Sequence, residues 1–241
     1  RPSTSTRKAI SAVRLRPTLA SARHRLAGAL AELGRPQEAA EEYLAAMRLD
    51  PASASKVRLH VIVPLAQAGR LDEALAQAER SLQEHENNGY VHGVLGKIFL
   101  GVGDVDRAEA HLRAALECDP ADAESVYHLA RVLLQARARP DQALALLARS
   151  AGRVEGAKAA WVHQLLGLVL LHEKRQPEQA VVHLRKAAEI DGEDAATWAG
   201  LALACEQTGD AAGAEAARSR AAEVSSRKER KREPGWEAIR G

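Results

Sequence analysis

The sequence predicts an all-α protein built as a solenoid of stacked helix-turn-helix repeats. A segment such as GRPQEAAEEYLAAMRLDP, which begins at Gly34, returns along the chain at intervals of 34 to 37 residues. Leucine and alanine, both strong helix formers, dominate the apolar residues, whereas only 3% of the chain is aromatic. Turn residues such as Gly103 and Asp104 separate two helical stripes within a repeat.

The segment at residues 89–122 illustrates one repeat. Leu95 and Phe99 share a face of the first predicted helix, and Ala108 and Leu112 share a face of the second. Every repeat has an alanine at the position of Ala108. We attribute this alanine to packing, because a side chain larger than a methyl group would hold the two helices apart. The recurring positions are Ala39, Ala74, Ala108, Ala143, Ala180 and Ala214.

The period divides the chain into six repeats within residues 20–225, preceded by a half-repeat or capping helix at residues 1–19 and followed by a basic flexible tail at residues 226–241. Three second helices are predicted to begin with a proline, which is favoured at the first helical position. Repeats 4 and 5 each carry one additional residue in the turn between their helices. The six predicted repeats are about 20–53, 55–88, 89–122, 123–159, 160–194 and 195–225.

The spacing of these residues resembles the tetratricopeptide repeat family, whose pattern is W-x2-L-G-x2-Y, then A-x3-F, then P. In repeat 3, Leu95 and Gly96 match the first part of the pattern, and His92 and Phe99 occupy its tryptophan and tyrosine positions. Trp198 supplies the tryptophan in repeat 6. The resemblance implies a right-handed α-solenoid. It also implies that the first helices of successive repeats line a concave groove in which a partner peptide lies.

Composition and motifs argue against several other classes of protein. The net charge of +2 gives no reason to expect nucleic acid as a partner, and no apolar run reaches the roughly 20 residues of a membrane-spanning helix. The chain has no motif of a nucleotide-binding loop or a catalytic triad, and its nine histidines are scattered over different repeats. We therefore expect no enzyme activity, no cofactor and no metal site, and we interpret Cys118 and Cys205 as small core residues.

Mapping the repeat register onto the implied groove gives the candidate partner-binding residues. Basic residues outnumber acidic ones among them, so we expect a protein or peptide partner that carries an acidic segment. Tyrosine and tryptophan would serve as apolar anchors, although the same side chains could simply pack on their neighbours. The candidate residues are His24, Arg25, Lys56, His60, Tyr90, Lys97, Tyr127, His128, Arg131, Trp161 and Gln164.

The C-terminal tail contains a second candidate motif. It combines a basic run with a tryptophan, which is typical either of a solvated helix end or of a short docking motif. Its residues are Arg227, Lys228, Arg230, Lys231, Arg232 and Trp236.

The sequence therefore predicts a non-catalytic scaffold that binds a partner segment in its groove and helps to assemble a larger complex. Two alternatives stay open: a regulatory or targeting segment of a larger enzyme, for example a transferase, and a component of a bacterial envelope or secretion assembly. A cytoplasmic location is favoured, whereas a signal removed upstream of Arg1 would favour the periplasm or envelope.

Overall fold

The computed structural model describes residues 4–16 and 18–232, and over these ranges the chain is helical without a strand. The predicted all-α fold class is confirmed. The α-helices are α1 (Thr4–Leu15), α2 (Ala20–Glu32), α3 (Pro36–Leu49), α4 (Ala54–Gln67), α5 (Leu71–Glu84), α6 (Gly89–Gly101), α7 (Val105–Cys118), α8 (Ala123–Arg131), α9 (Pro140–Ala151), α10 (Ala159–His172), α11 (Pro177–Ile190), α12 (Ala195–Gln207) and α13 (Ala211–Arg232).

The helices form two compact units, of which unit 1 ends at Cys118 and unit 2 begins at Asp119. Unit 1 contains α1 followed by the hairpins α2–α3, α4–α5 and α6–α7, and unit 2 contains the hairpins α8–α9, α10–α11 and α12–α13. Each hairpin packs on the next within its unit, as in the contacts of α3 with α4 and of α11 with α12. Each unit is therefore a short stack of helical hairpins.

Two kinds of residue start the second helices. Prolines occupy the first turns of α3, α9 and α11, as predicted, where their fixed φ suits the helix and no hydrogen bond is lost. Before α7 and α13 an aspartate stands one position earlier, immediately outside the helix, and caps it. Asp104 Oδ1 accepts a hydrogen bond from Arg107 N at 3.0 Å, and Asp210 Oδ1 accepts one from Gly213 N at 2.9 Å.

The additional residue of repeats 4 and 5 changes the turn within the hairpin. In repeats 1 and 6 an amide bonds to the carbonyl five residues earlier, as Arg35 N does to Leu30 O at 3.0 Å. In repeats 4 and 5 the bond spans six residues, and Arg139 N donates to Leu133 O at 2.7 Å. A π-helical segment, Val132–Ala136, takes up the additional residue in repeat 4.

Small residues let the two helices of each hairpin approach closely. A β-carbon built on Gly96 of α6 would lie 2.6 Å from Cγ of Leu112 on α7, and one built on Gly167 of α10 would lie 2.6 Å from Cγ of Leu184 on α11. Both leucines are fully buried. The recurring alanines of the second helices are likewise at most 1% exposed: Ala39, Ala74, Ala108, Ala143, Ala180 and Ala214.

At the C-terminal end, α13 continues without interruption past residue 225 to Arg232. The basic residues of the candidate tail motif as far as Arg232 therefore lie on a helix, whereas Trp236 lies outside the described residues. None of the helices in the described ranges is both long and apolar enough to cross a membrane.

Replacing a helical glycine by alanine usually stabilises a protein, but the close approach at Gly96 predicts the opposite effect there. We expect Gly96→Ala to lower the free energy of unfolding by about 1–3 kcal/mol, because the added methyl group must displace the buried Leu112. The measurement is equilibrium denaturation in urea.

Gly101→Ala is the matched control, because it lies on the same helix and a β-carbon there meets nothing within 4 Å. Alanine is the better helix former, so this variant should be unchanged or more stable by up to about 0.5 kcal/mol. Equal stabilisation by both substitutions would contradict the close-packing explanation.

Candidate functional site

Helices α2, α3 and α4 of unit 1 bring aromatic and imidazole rings together. The rings of His24 and His60 are 5.2 Å apart, and both approach Tyr43, whose ring stacks on His60 at 6.1 Å. Burial lowers the pKa of His24, and the neighbouring His60 lowers it further. His24 is therefore held toward its neutral form and contributes little positive charge to this surface near pH 7.

The other candidate residues of unit 1 lie around this ring cluster with different exposure. Arg25 and Lys56 are exposed, and Tyr90 exposes 54% of its surface. Lys97 is half-buried. The exposed positive charge of these six candidates therefore comes mainly from Arg25 and Lys56.

Four candidate residues of unit 2 line one cavity of about 370 Å³, which we call the aromatic cavity. The rings of Tyr127 on α8 and Trp161 on α10 are 5.9 Å apart and inclined at 52°, and Trp161 exposes 36% of its surface. The complete lining is Tyr127, His128, Ala160, Trp161, Gln164, Asp191, Glu193, Asp194 and Thr197. The cavity thus joins the first helices of all three repeats of unit 2.

Carboxylates from the turn before α12 form one wall of the aromatic cavity. Asp194 caps α12, because its Oδ2 accepts hydrogen bonds from N and Oγ1 of Thr197 at 2.9 and 2.7 Å. Gln164 also donates to Asp194, which fixes that amide against the wall. Asp191 accepts from the amide of Glu193 at 3.0 Å. These acidic residues were absent from the sequence-based set of site residues, because they lie in a turn rather than on a first helix.

Arginines of the chain already contact this region. The guanidinium carbon of Arg131 lies 5.6 Å from the centre of the Tyr127 ring, a cation–π contact. Arg227 on α13 donates to Oε1 of Glu193 at 2.9 Å. Arg131, a predicted groove residue, and Arg227, a predicted tail residue, therefore contact different residues of the same lining.

A second cavity of about 580 Å³ lies beside α10, and we call it the leucine cavity. Leu165 and Leu168 of α10 face it together with residues that follow α8. Its lining is Leu134, Gln135, Ala138, Pro140, Leu165, Leu168, Val169, His172 and Glu173. Because Trp161, Leu165 and Leu168 are spaced by four and three residues, one stripe of α10 serves both cavities.

Two histidine pairs occupy equivalent positions inside their hairpins, which the sequence analysis did not anticipate. Nδ1 of His92 lies 2.9 Å from Nδ1 of His111, and Nδ1 of His163 lies 3.2 Å from Nδ1 of His183. In each pair one nitrogen must carry a proton and the other a lone pair. Protonation of both rings would therefore bring two N–H groups against each other.

The spacing of the two histidines along the sequence could have predicted these pairs, because the equivalent positions in repeat 1 also form a contact. The same position in repeat 1 holds an ion pair, in which Arg23 donates to Glu42 at 2.8 Å. Repeat 4 has the apolar residues Val126 and Leu146 at the corresponding positions, and both are buried. The partners are 19 residues apart in repeat 1 and 20 apart in repeat 4, which contains the additional turn residue.

The two cysteines differ in their surroundings. Cys205 is 1% exposed, as expected of a core residue. The interpretation of Cys118 as a core residue is wrong, because it is exposed at the last position of α7. In the described part of the chain, no three or more histidine, cysteine, aspartate or glutamate side chains are grouped to hold a metal ion.

Comparison with protein families found matches to tetratricopeptide repeat models. One model matches residues 20–53, and another matches residues 65–124 and 99–161. These ranges together cover more than half of the chain. No match was found among curated proteins.

Solved structures with the same fold include the Cut9–Hcn1 hetero-tetramer of the APC/C, with a TM-score of 0.69 and 14% identity over 90% of this chain. This chain spans only 42% of that chain. Pseudomonas aeruginosa pilF has a TM-score of 0.62 and 18% identity, over 72% of this chain and 77% of that one. YrrB, described as a TPR protein with an unusual peptide-binding site, has a TM-score of 0.51 and 21% identity, over 78% of this chain and 95% of that one.

The histidine pairs predict a loss of stability in mild acid. Burial lowers the pKa of His111, His163 and His183, so each ring binds a proton less readily in the folded chain than in the unfolded chain. Their stabilising contribution is complete above the unfolded pKa of about 6.5 and is lost as the pH falls below it. We expect the free energy of unfolding, measured in urea, to decrease from pH 7.5 to pH 5.

The apolar pair of repeat 4 provides the matched variant. Replacing both histidine pairs by valine on the first helix and leucine on the second removes the four imidazole rings while keeping a packed contact. The variant should lose clearly less stability between the two pH values than the original chain. An equal loss in both chains would show that the pairs do not carry the acid sensitivity.

Proposed function

This chain belongs to the tetratricopeptide repeat family, and we propose that it is a non-catalytic scaffold that binds a segment of a partner protein on the first helices of its repeats. The observation that carries this proposal is the aromatic cavity, where Tyr127, His128, Trp161 and Gln164 line a single space. Its volume of about 370 Å³ is within the range of pockets that hold ligand groups. Tryptophan and tyrosine are also among the residue types that most often dominate the binding energy of an interface.

The two cavities beside α10 suggest how such a segment is recognised. Trp161 and Leu168 are seven residues apart on the helix, which corresponds to about 10 Å along its axis. A segment in the polyproline II conformation spans this distance with about three residues, at about 3.1 Å each, and its three residues per turn bring side chains three positions apart to the same face. We therefore propose a partner with one side chain in the aromatic cavity and an apolar side chain about three positions away in the leucine cavity.

Unit 1 offers a surface of different character, for which we propose an acidic segment of a partner as the ligand. Arg25 and Lys56 supply exposed positive charge, and Tyr90 supplies an exposed ring. Charge-assisted hydrogen bonds from arginine and lysine to carboxylates would hold the segment. The proteins that carry these two kinds of segment would be the members of the complex that this chain helps to assemble.

A peptide selection tests the assignment of unit 2. We expect a phage-displayed library of random dodecapeptides, selected on the full chain, to yield peptides whose affinity decreases at least about tenfold for Trp161→Ala, because the variant removes the central anchor. Fluorescence anisotropy with the synthetic peptides gives the dissociation constants.

Val182→Ala is the matched control, because Val182 is a 64% exposed apolar residue on the second helix α11. Its affinity for the same peptides should be unchanged. Selected peptides that bind Trp161→Ala as tightly as the original chain would refute the placement of the site in unit 2, and a selection without any binding peptide would refute a segment-binding role.

The same library tests unit 1. Peptides rich in aspartate and glutamate should lose at least about fivefold in affinity for the double variant Arg25→Glu with Lys56→Glu, because both contacts become repulsive. Their binding to the original chain should weaken as salt is added.

A second double variant, Arg80→Glu with Arg113→Glu, makes the same change of net charge on the second helices α5 and α7, where both arginines are exposed. Equal losses in the two double variants would indicate general charge attraction rather than binding at the first helices.

A further inference from the structure

We propose that the aromatic cavity of unit 2 receives an arginine side chain of the partner segment. This inference rests on the proposed function, because it specifies the side chain that anchors the segment. It also differs from the acidic partner that the sequence predicts, because it assigns a positively charged ligand group to one part of the surface.

The charges of the lining favour a cation. Asp191, Glu193 and Asp194 all line the cavity, whereas no lysine or arginine is among its described lining residues. A carboxylate can accept several hydrogen bonds, and Asp191 has one described donor, the amide of Glu193. Acceptor positions therefore remain for the N–H groups of a guanidinium.

The aromatic residues add a face on which a guanidinium can stack. Trp161 and Tyr127 both line the cavity, and their rings are inclined at 52° to each other. Tryptophan is the best partner for a cation among the aromatic side chains, and arginine engages in such contacts more often than lysine. A planar guanidinium can stack on the indole while its edge donates to the carboxylates.

The chain itself shows that both parts of this lining bind arginine. Arg131 lies over Tyr127, and Arg227 donates to Glu193 at 2.9 Å. These two guanidinium groups come from different helices and meet different lining residues. The same two kinds of contact, brought together inside the cavity, would hold one arginine from a partner.

The positive charges near the cavity do not reverse this preference. Lys158 is paired with Glu124, and Arg227 contacts Glu223 as well as Glu193. Arg131, which lies over Tyr127, adds one positive charge against the three carboxylates of the lining. The N-terminus of α12 contributes about half a positive charge, but the full negative charge of Asp194 caps it. The balance at the cavity wall therefore stays negative.

Small arginine analogues test the inference directly. We expect N-acetyl-arginine methylamide to shift the indole N–H signal of Trp161 in a ¹⁵N-labelled chain in a saturable manner. N-acetyl-citrulline methylamide, which has nearly the same shape without the charge, should bind about fivefold more weakly. N-acetyl-glutamate methylamide should cause no saturable shift of this signal. Equal binding of the arginine and citrulline compounds would overturn the inference.

Variants of the carboxylates and of Arg227 add a second measurement. Asp191→Asn with Glu193→Gln should weaken binding of the arginine compound, because it removes two negative charges while keeping similar shapes. Arg227→Ala should strengthen binding, because it releases the carboxylate of Glu193. Glu178→Gln with Glu189→Gln, two exposed carboxylates on α11, is the control and should leave binding unchanged. An unchanged affinity in the Asp191 and Glu193 variant would contradict the proposed contacts.

The outcomes separate this inference from the proposed function. Selected peptides that need Trp161 but contain no basic residue, together with equal binding of arginine and citrulline, would refute the arginine and leave the scaffold role intact. Saturable binding of the arginine compound without any selected peptide would support the cation-binding cavity and refute the recognition of a segment.

Discussion

The close approach of the two helices in each hairpin is the constraint on which the structure depends. Leu112 and Leu184 fill the spaces that the missing side chains of Gly96 and Gly167 leave on the first helices. A packed interior tolerates little change in volume, so a larger residue or a different register at these positions would displace the buried leucines. Each hairpin thereby becomes a rigid unit, which can stack on its neighbour with its first helix partly exposed.

The same geometry explains why binding and internal packing use different residues of one helix. In repeat 5, Leu166, Gly167 and Leu170 of α10 are buried, whereas Trp161 lies on the side that lines the aromatic cavity. A helix turns by 100° per residue, so neighbouring positions in the sequence reach opposite environments. A surface residue such as Trp161 can therefore change without disturbing the hairpin, which allows repeat proteins to acquire different partners on one architecture.

The fold was predictable from the sequence because it depends on local patterns that recur in every repeat. The alanines, the starting prolines and the additional turn residue all act within one hairpin, where distance along the chain determines distance in space. The histidine pairs were missed because they require comparison of two helices, although the spacing of 19 residues between His92 and His111 matches that of the Arg23–Glu42 pair. The exposure of Cys118 was missed because the residue ends its helix.

The charge of the candidate site was less predictable than the fold. It depends partly on the turn before α12, whereas the sequence-based set of groove residues contains only residues of first helices. Along the sequence, Lys97 and Arg131 suggest a positive first-helix surface. In the structure Arg131 stacks on Tyr127, and the turn before α12 places Asp191 and Glu193 in the same lining. Salt screens charges beyond about 8 Å at physiological ionic strength. A nearly neutral chain can therefore present surfaces of opposite sign, and the side chains around each cavity, rather than the sum over the repeats, determine which ligand group it binds.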